Sequence, residues 1–255
     1  MRAFRLTLLL FFLLLQAFGA DSALALDPGK LITQYDIRNY TAKDGLPMNT
    51  VKKVFQDSRG YIWVGTQEGL ARFDGVRFRI YDKSTSPGLR SSFIRDIAED
   101  HAGHLWVATN GGGISRLEGD DFVSYGAAEG LNHDVVNTLL VARDGSLVIG
   151  TENGISRFAD GRLTPFRLTD NVDANNIQAL IQDSTGALYV GRYAVPLTRI
   201  AWTDFNADSG SPRHVVTYCR VPLAARRSGF FPCDSPFTAL CTTRAGDLLA
   251  GNTNG

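Results

Sequence analysis

The chain has 255 residues, with 26 basic and 26 acidic side chains, 44% apolar residues and 26 glycines. Zero formal net charge removes the electrostatic case for nucleic acid or an anionic membrane surface as a partner. The apolar fraction and the regularly spaced turn residues exclude a disordered chain.

At the N-terminus, Arg2 and Arg5 precede an apolar run from Leu6 to Leu15 and a small-residue site at Ala23-Leu24-Ala25. This pattern predicts a secretory signal peptide over residues 1–25, cut after Ala25; the run is short for a membrane span, and a retained anchor is the alternative. Removing it takes Arg2, Arg5 and Asp21 and leaves 24 basic and 25 acidic residues, net −1. Residues 26–255 are long enough for one repeat domain or two ordinary ones. Thr33 to Thr41, "TQYDIRNYT", reads as a strand ahead of the first full unit, placed to close a ring as the outer strand of a last blade.

A unit then recurs. "DSRGYIWVGTQEGLARFDG" is followed by "DHAGHLWVATNGGGISRLEG", "ARDGSLVIGTENGISRFADG" and, more loosely, "DSTGALYVGRYAVPLTRI"; a fifth copy starts at "TRAGDLLAGNTNG". The turn glycines Gly60, Gly103, Gly145, Gly186 and Gly246 are 43, 42, 41 and 60 residues apart. Each unit reads as four short strands, here called a to d. Strand a carries apolar residues such as Val51, Val54 and Phe55, or Phe237, Leu240 and Cys241. Strand b is a short β-prone run such as "YIWVG", strand c carries "GLARF" or "GISRF", and strand d ends in aromatics such as Phe78 and Tyr81.

Four antiparallel strands in about 42 residues, repeated, predict an all-β fold, a β-propeller of four-stranded blades. A β-sandwich is the alternative, and the fixed period counts against it. The blades fall at about 42–83, 84–126, 127–168, 169–222 with an insertion, and 233–255, the last incomplete. A seven-bladed ring at this period needs on the order of 100 more residues, so the sequence reads as a fragment. Trp63 and Trp106 are expected between neighbouring blades, and Arg72, Arg116, Arg157 and Arg199 form a structural ladder on strand c, paired with acidic turns.

With "GYIWVGTQEGLARFDGVRFRIY" as a blade and "YTAKDGLPMNTVKKVFQD" as the lead-in to the first, residues 35–201 resemble the two-component regulator propeller repeats. The fourth unit departs from the pattern, with Gly191-Arg192 for Gly-Thr and Val195-Pro196 at the b–c glycine. The resemblance implies the periplasmic sensor region of a membrane receptor. It implies a ring of seven or fourteen blades, followed by a triple-tyrosine immunoglobulin-like domain and a C-terminal membrane helix. A cytoplasmic histidine kinase or diguanylate cyclase would then be the output domain in cis.

Chain direction puts the d–a and b–c loops of every blade on one face. That face gathers Asn49, Gln67, Glu68, Asn110, Asn132, His133, Glu152, Asn153, Asn175, Asn176 and Arg192. An amide-rich surface round a channel suits a polar small molecule or an oligosaccharide; solvated loops rich in turn formers are the bland alternative. His101 and His104 flank one tight a–b turn on the other face and lack a third ligand. No nucleophile elbow, zinc-protease motif or P-loop is present, and "NGGGI" has no helix after it to hold phosphate. No enzyme activity and no cofactor are therefore expected of this segment. Alternative readings are a secreted propeller lyase, a quinone-dependent dehydrogenase, or a protein-interaction scaffold, homodimeric or docking another protein. The three cysteines cannot all pair within one chain; a Cys219–Cys233 disulfide with Cys241 buried is one reading, and three free thiols the other.

Overall fold

The computed structural model describes residues 37–168, 175–193, 195–205, 215–218, 237–242 and 248–252. The signal peptide, Cys219 and Cys233 lie outside them, as do residues 33–36 of the segment expected to close the ring. Residues 37–41 of that segment form no strand: an extended stretch becomes one only where its N–H and C=O groups find a ladder.

Eighteen strands form five antiparallel sheets among the described residues. The first sheet holds β1 (Val51–Gln56), β2 (Ile62–Thr66), β3 (Leu70–Phe73) and β4 (Phe78–Tyr81), each paired to the next in sequence. The second holds β5 (Ile94–Glu99), β6 (Leu105–Thr109), β7 (Ile114–Glu118) and β8 (Asp121–Tyr125). The third runs β9 (Val136–Val141), β10 (Leu147–Thr151), β11 (Gly154–Ala159) and β12 (Arg162–Phe166). The fourth runs β13 (Ile177–Gln182), β14 (Leu188–Arg192), β15 (Val195–Ile200) and β16 (Val215–Tyr218), and a short helix, Trp202–Phe205, lies between β15 and β16. A two-stranded sheet, β17 (Phe237–Thr242) with β18 (Leu248–Asn252), follows. The first strands β1, β5, β9, β13 and β17 neighbour one another in that order. They gather round an axis while the later strands of each sheet step outward. This is a β-propeller.

What joins the blades is an apolar wedge between each sheet and the next. Trp63, Leu70 and Tyr81 of the first blade share one core with Ile94, Ile97, Leu105, Val107 and Phe122 of the second. Trp106 and Ile114 of the second pack with Val136, Leu139, Leu147 and Ile149 of the third. Val148, Ile155 and Phe166 of the third pack with Ile177, Leu180, Leu188 and Val190 of the fourth. The tryptophans therefore sit between blades, as their place on strand b predicts. On the first blade Val51 and Val54 are 40% and 58% exposed, whereas their counterparts Ile94 and Ile97 are 0% and 2% exposed. That face carries no neighbouring blade among the described residues.

Each buried indole is also tied to the a–b turn. The Trp63 Nε1–H donates to Asp57 Oδ2 at 2.9 Å, while Asp57 Oδ1 accepts the backbone N–H groups of Arg59 and Tyr61. Asp100 repeats this with Trp106 Nε1 and the N–H groups of Ala102 and His104. The third blade has Ala142 and Val148 in place of the pair. There Asp144 takes Ser146 and the Arg157 guanidinium instead, at 3.0 Å. The arginine ladder is thus only in part a set of acidic pairs. Arg116 pairs with Glu118, but Arg72 stacks over Tyr61 at 4.6 Å and Arg199 over Tyr189 at 5.9 Å. Strand-b aromatics give a guanidinium a flat, electron-rich surface that a turn carboxylate does not.

Gly65 and Gly150 meet a constraint different from that of the turn glycines. A Cβ on Gly150 would lie 2.6 Å from Thr138 Cγ2 and 2.7 Å from Ile177 Cγ2, the latter on the next blade. Gly65 stands in the same relation to Ile94. Gly150→Ala is expected to cost about 1–3 kcal/mol by overpacking, read as a lower urea midpoint with the slope preserved. Asp57→Ala, which leaves the buried indole N–H without its acceptor, should lower the midpoint by a similar about 1–3 kcal/mol. An unchanged midpoint in either variant would contradict this account of how the blades are joined.

Candidate functional site

The d–a and b–c loops share one face and interlock there. Asn110 N–H donates to Phe93 O, Glu152 N–H to Val135 O and Tyr193 N–H to Asn176 O, while Gly111 and Gly113 both donate to Asp134 O of the next blade. A threonine ends strand b in the first three blades. Thr66, Thr109 and Thr151 are buried, and each donates its hydroxyl to the carbonyl of the b–c glycine, Gly69, Gly113 or Gly154. The loops are therefore held rigidly from beneath.

Several residues expected to meet a ligand are spent on this framework. Asn49 Oδ1 accepts from Ala42 N at 2.7 Å, and Asp134 does the same for Ala127, each closing the lead-in to a strand a. His133 Nδ1 accepts from Val135 N at 3.1 Å. Asn132 donates to the carbonyls of Ile155 and Phe166, and Asn175 accepts from Leu168 N. Arg192 is buried and donates to Thr198 at 2.8 Å, with burial pushing its pKa down. It occupies the strand-b place of the threonines. Gln67 is half-buried and Glu68 exposed at the tip of the first b–c loop; Glu152 and Asn153 are half-buried at the third. The Asn153 amide oxygen is buried without a hydrogen-bond partner.

The side chains that the structure does bring together arise from a repeated irregularity in strand a. In every blade the pairing of strands a and b skips one residue. Val51 pairs with Thr66 but Lys53 with Gly65; Ile94 pairs with Thr109 but Asp96 with Ala108. The same slip recurs at Val136/Thr138, Ile177/Ala179 and Phe237/Ala239. The extra residues are Lys52, Arg95, Asn137, Gln178 and Thr238. A bulge re-aims its extra side chain out of the alternating pattern, here at the loop-bearing end of the innermost strand, the mouth of the channel.

Three of these residues lie in one hydrogen-bonded chain across three blades. Arg95 Nη1 donates to Asn137 Oδ1 at 2.5 Å and Arg95 Nη2 to Asn110 Oδ1 at 3.0 Å. Asn137 Nδ2 donates to Asn176 Oδ1 at 3.0 Å and to Ile177 O at 2.8 Å, and Gln178 Nε2 donates to Asn176 Oδ1 at 2.5 Å. Of the residues foreseen on this face, Asn110 and Asn176 belong to the chain. Arg95, Asn137 and Gln178 were missed, although their shared offset two places before the strand-a apolar pair is visible once the units are aligned. One residue further along, Asp96 joins three blades: it pairs with Lys53 at 2.7 Å and accepts Leu139 N–H at 2.9 Å.

The fold and this channel mouth define a β-propeller with a polar site at the loop face. The model of the two component regulator propeller family matches residues 45–68 and 88–111, within the first two blades. Histidine kinase P4 of Formosa agariphila is 41% identical over 49 residues, which is 19% of this chain and 4% of that protein. The extracellular domain of a B. thetaiotaomicron protein described as a hybrid two component system aligns with a TM-score of 0.63 at 20% identity, over 79% of this chain and 26% of that one. Virginiamycin B lyase from Staphylococcus aureus aligns at 0.61 and 18% identity, over 82% and 65%. Both structural likenesses are likenesses of fold, and the chain spans about a quarter of the first and less than two thirds of the second.

The d–a loops beside the site are clasped by Arg90 and Glu129. Both terminal nitrogens of Arg90 donate to the carboxylate, at 3.0 and 2.8 Å, and Gly126 N–H adds a third bond. Arg90 first, and the Gly126 N–H next, hold the Glu129 pKa down at about 2. A lowered carboxylate pKa gives stability that is present above the ordinary value of 4.5 and is lost as pH falls from there towards 2. Both side chains are more than a third exposed or close to it, so the effect is under about 1 kcal/mol. Denaturant titrations from pH 5 to pH 2 should show Glu129→Gln losing less stability over that interval than the parent; parallel curves would refute the clasp.

Proposed function

We propose that this chain is the ligand-sensing propeller of an extracytoplasmic receptor. On this reading it recognises a polar small molecule or oligosaccharide at the loop face. It passes the event to output domains in cis, of the histidine kinase or diguanylate cyclase type, beyond a C-terminal membrane helix. The single observation that carries the reading is the amide and guanidinium chain Arg95–Asn110–Asn137–Asn176–Gln178 at the channel mouth. Donors and acceptors held on rigid inner strands are what recognition of a hydroxyl-rich ligand needs.

Further support comes from the two matched repeats and from the likeness to extracellular domains of proteins described as hybrid two component systems. The N-terminal export pattern fits a periplasmic location. Among the described residues no helix is long and apolar enough to cross a membrane, and no group of three or more His, Cys, Asp or Glu side chains could hold a metal ion. A propeller enzyme is the second reading, prompted by the lyase likeness. It would need a histidine or an acid on the loop face, His133 or Glu152, and the Nδ1 of the His133 ring is engaged by the Val135 N–H.

Calorimetry of the full receptor ectodomain against a panel of neutral and acidic oligosaccharides tests the proposal. Asn137 sits in the middle of the chain and holds both Arg95 and Asn176 in place, so Asn137→Ala is expected to raise the dissociation constant about tenfold or more by releasing them. Binding by no member of the panel, together with signalling undiminished when the propeller is deleted, would overturn it.

A further inference from the structure

Arg95 carries a charge that no described residue neutralises by an ion pair. Among the described residues no carboxylate lies within ion-pair distance of its guanidinium; Glu68 and Glu152 at the neighbouring b–c loop tips form no ion pair, and Asp96 is taken by Lys53. The group is instead held by two amide oxygens, Asn137 Oδ1 and Asn110 Oδ1, with its Cζ 5.5 Å from the centre of the Phe93 ring. Its Nε–H is buried and makes no hydrogen bond. One N–H remains on each terminal nitrogen. On the bulge of the adjacent blade stands Lys52, exposed, and no bulge position in any of the five blades carries an acid.

Neutral amides orient a guanidinium without consuming its charge. The N–H left on each terminal nitrogen can donate to a carboxylate oxygen. Resting on the sensing reading above, we propose that the ligand of this channel mouth bears a carboxylate. Arg95 receives it through its remaining N–H groups, Lys52 adds charge at the rim, and the unused amide groups of Asn176 and Gln178 are placed for neighbouring hydroxyls. Acidic sugars and small hydroxy acids share this chemistry.

The test is calorimetry of the full ectodomain with D-glucuronate and D-galacturonate and their short oligomers, against glucose and galactose counterparts and acetate. The acidic sugars should bind at least tenfold more tightly than the neutral ones, and more weakly as salt rises. Arg95→Met should abolish that preference, and Arg95→Lys, which keeps charge without the guanidinium N–H groups, should lose at least tenfold. Circular dichroism spectra establish that the variants fold, and the salt dependence of the parent protein reads the same interaction without any substitution. Acetate binding with the same dependence on Arg95 would support the carboxylate subsite and assign a simple acid to it. Neutral sugars binding parent and Arg95→Met equally, with no acidic preference, would overturn the carboxylate while leaving the sensing site standing. Absence of binding by every probe would overturn both.

Discussion

The wedge between blades is the constraint on which everything else rests. A four-stranded sheet has two faces and no core of its own, so each blade becomes stable only by burying one face against the next. Trp63 and Trp106 fill that space, and the a–b turn aspartates hold the indoles from the rim. Glycine on strand b, at Gly65 and Gly150, lets the following blade's isoleucine come close to the inner strand. The wide outer end takes an indole and the narrow inner end takes no side chain at all, and this taper is what turns a stack of sheets into a ring.

With the ring fixed from its outer parts, the inner strand is free to deviate. The bulge in strand a breaks the ladder once per blade, always at the same place, and the broken place faces the channel mouth. The charge at the half-buried second of these sites, Arg95, is supported by amides from its own b–c loop and from the next blade. Asp96, one residue on, locks Lys53 of the blade before and the Leu139 backbone of the blade after. Site and scaffold are therefore adjacent residues of one strand, with opposite duties.

Most of the fold was legible because its signals are local and repeated as identical letters. The 41-to-43-residue spacing of the turn glycines, the tryptophans and the acidic-Gly pairs of the c–d turns each name a piece of a blade. The site was less legible for a physical reason. Lys52, Arg95, Asn137, Gln178 and Thr238 share a position and no chemistry, and the bulge that unites them is a property of strand pairing. Conversely, Asn49, His133 and Asn132 look free as letters, but their polar atoms are consumed by backbone N–H and C=O groups that only the folded loops bring near. Arg192 reads as a surface charge and is buried because it stands where the first three blades keep a small threonine.

An unpaired bulge residue takes no part in the ladder, the wedge or the turn, so the fold does not fix its identity as it fixes theirs. The five blades already display a lysine, an arginine, an asparagine, a glutamine and a threonine there on nearly the same frame. Such a mouth works as a row of interchangeable sockets. Exchange of these letters alters the chemistry presented at the loop face while the ladder, the wedge and the turns keep their residues.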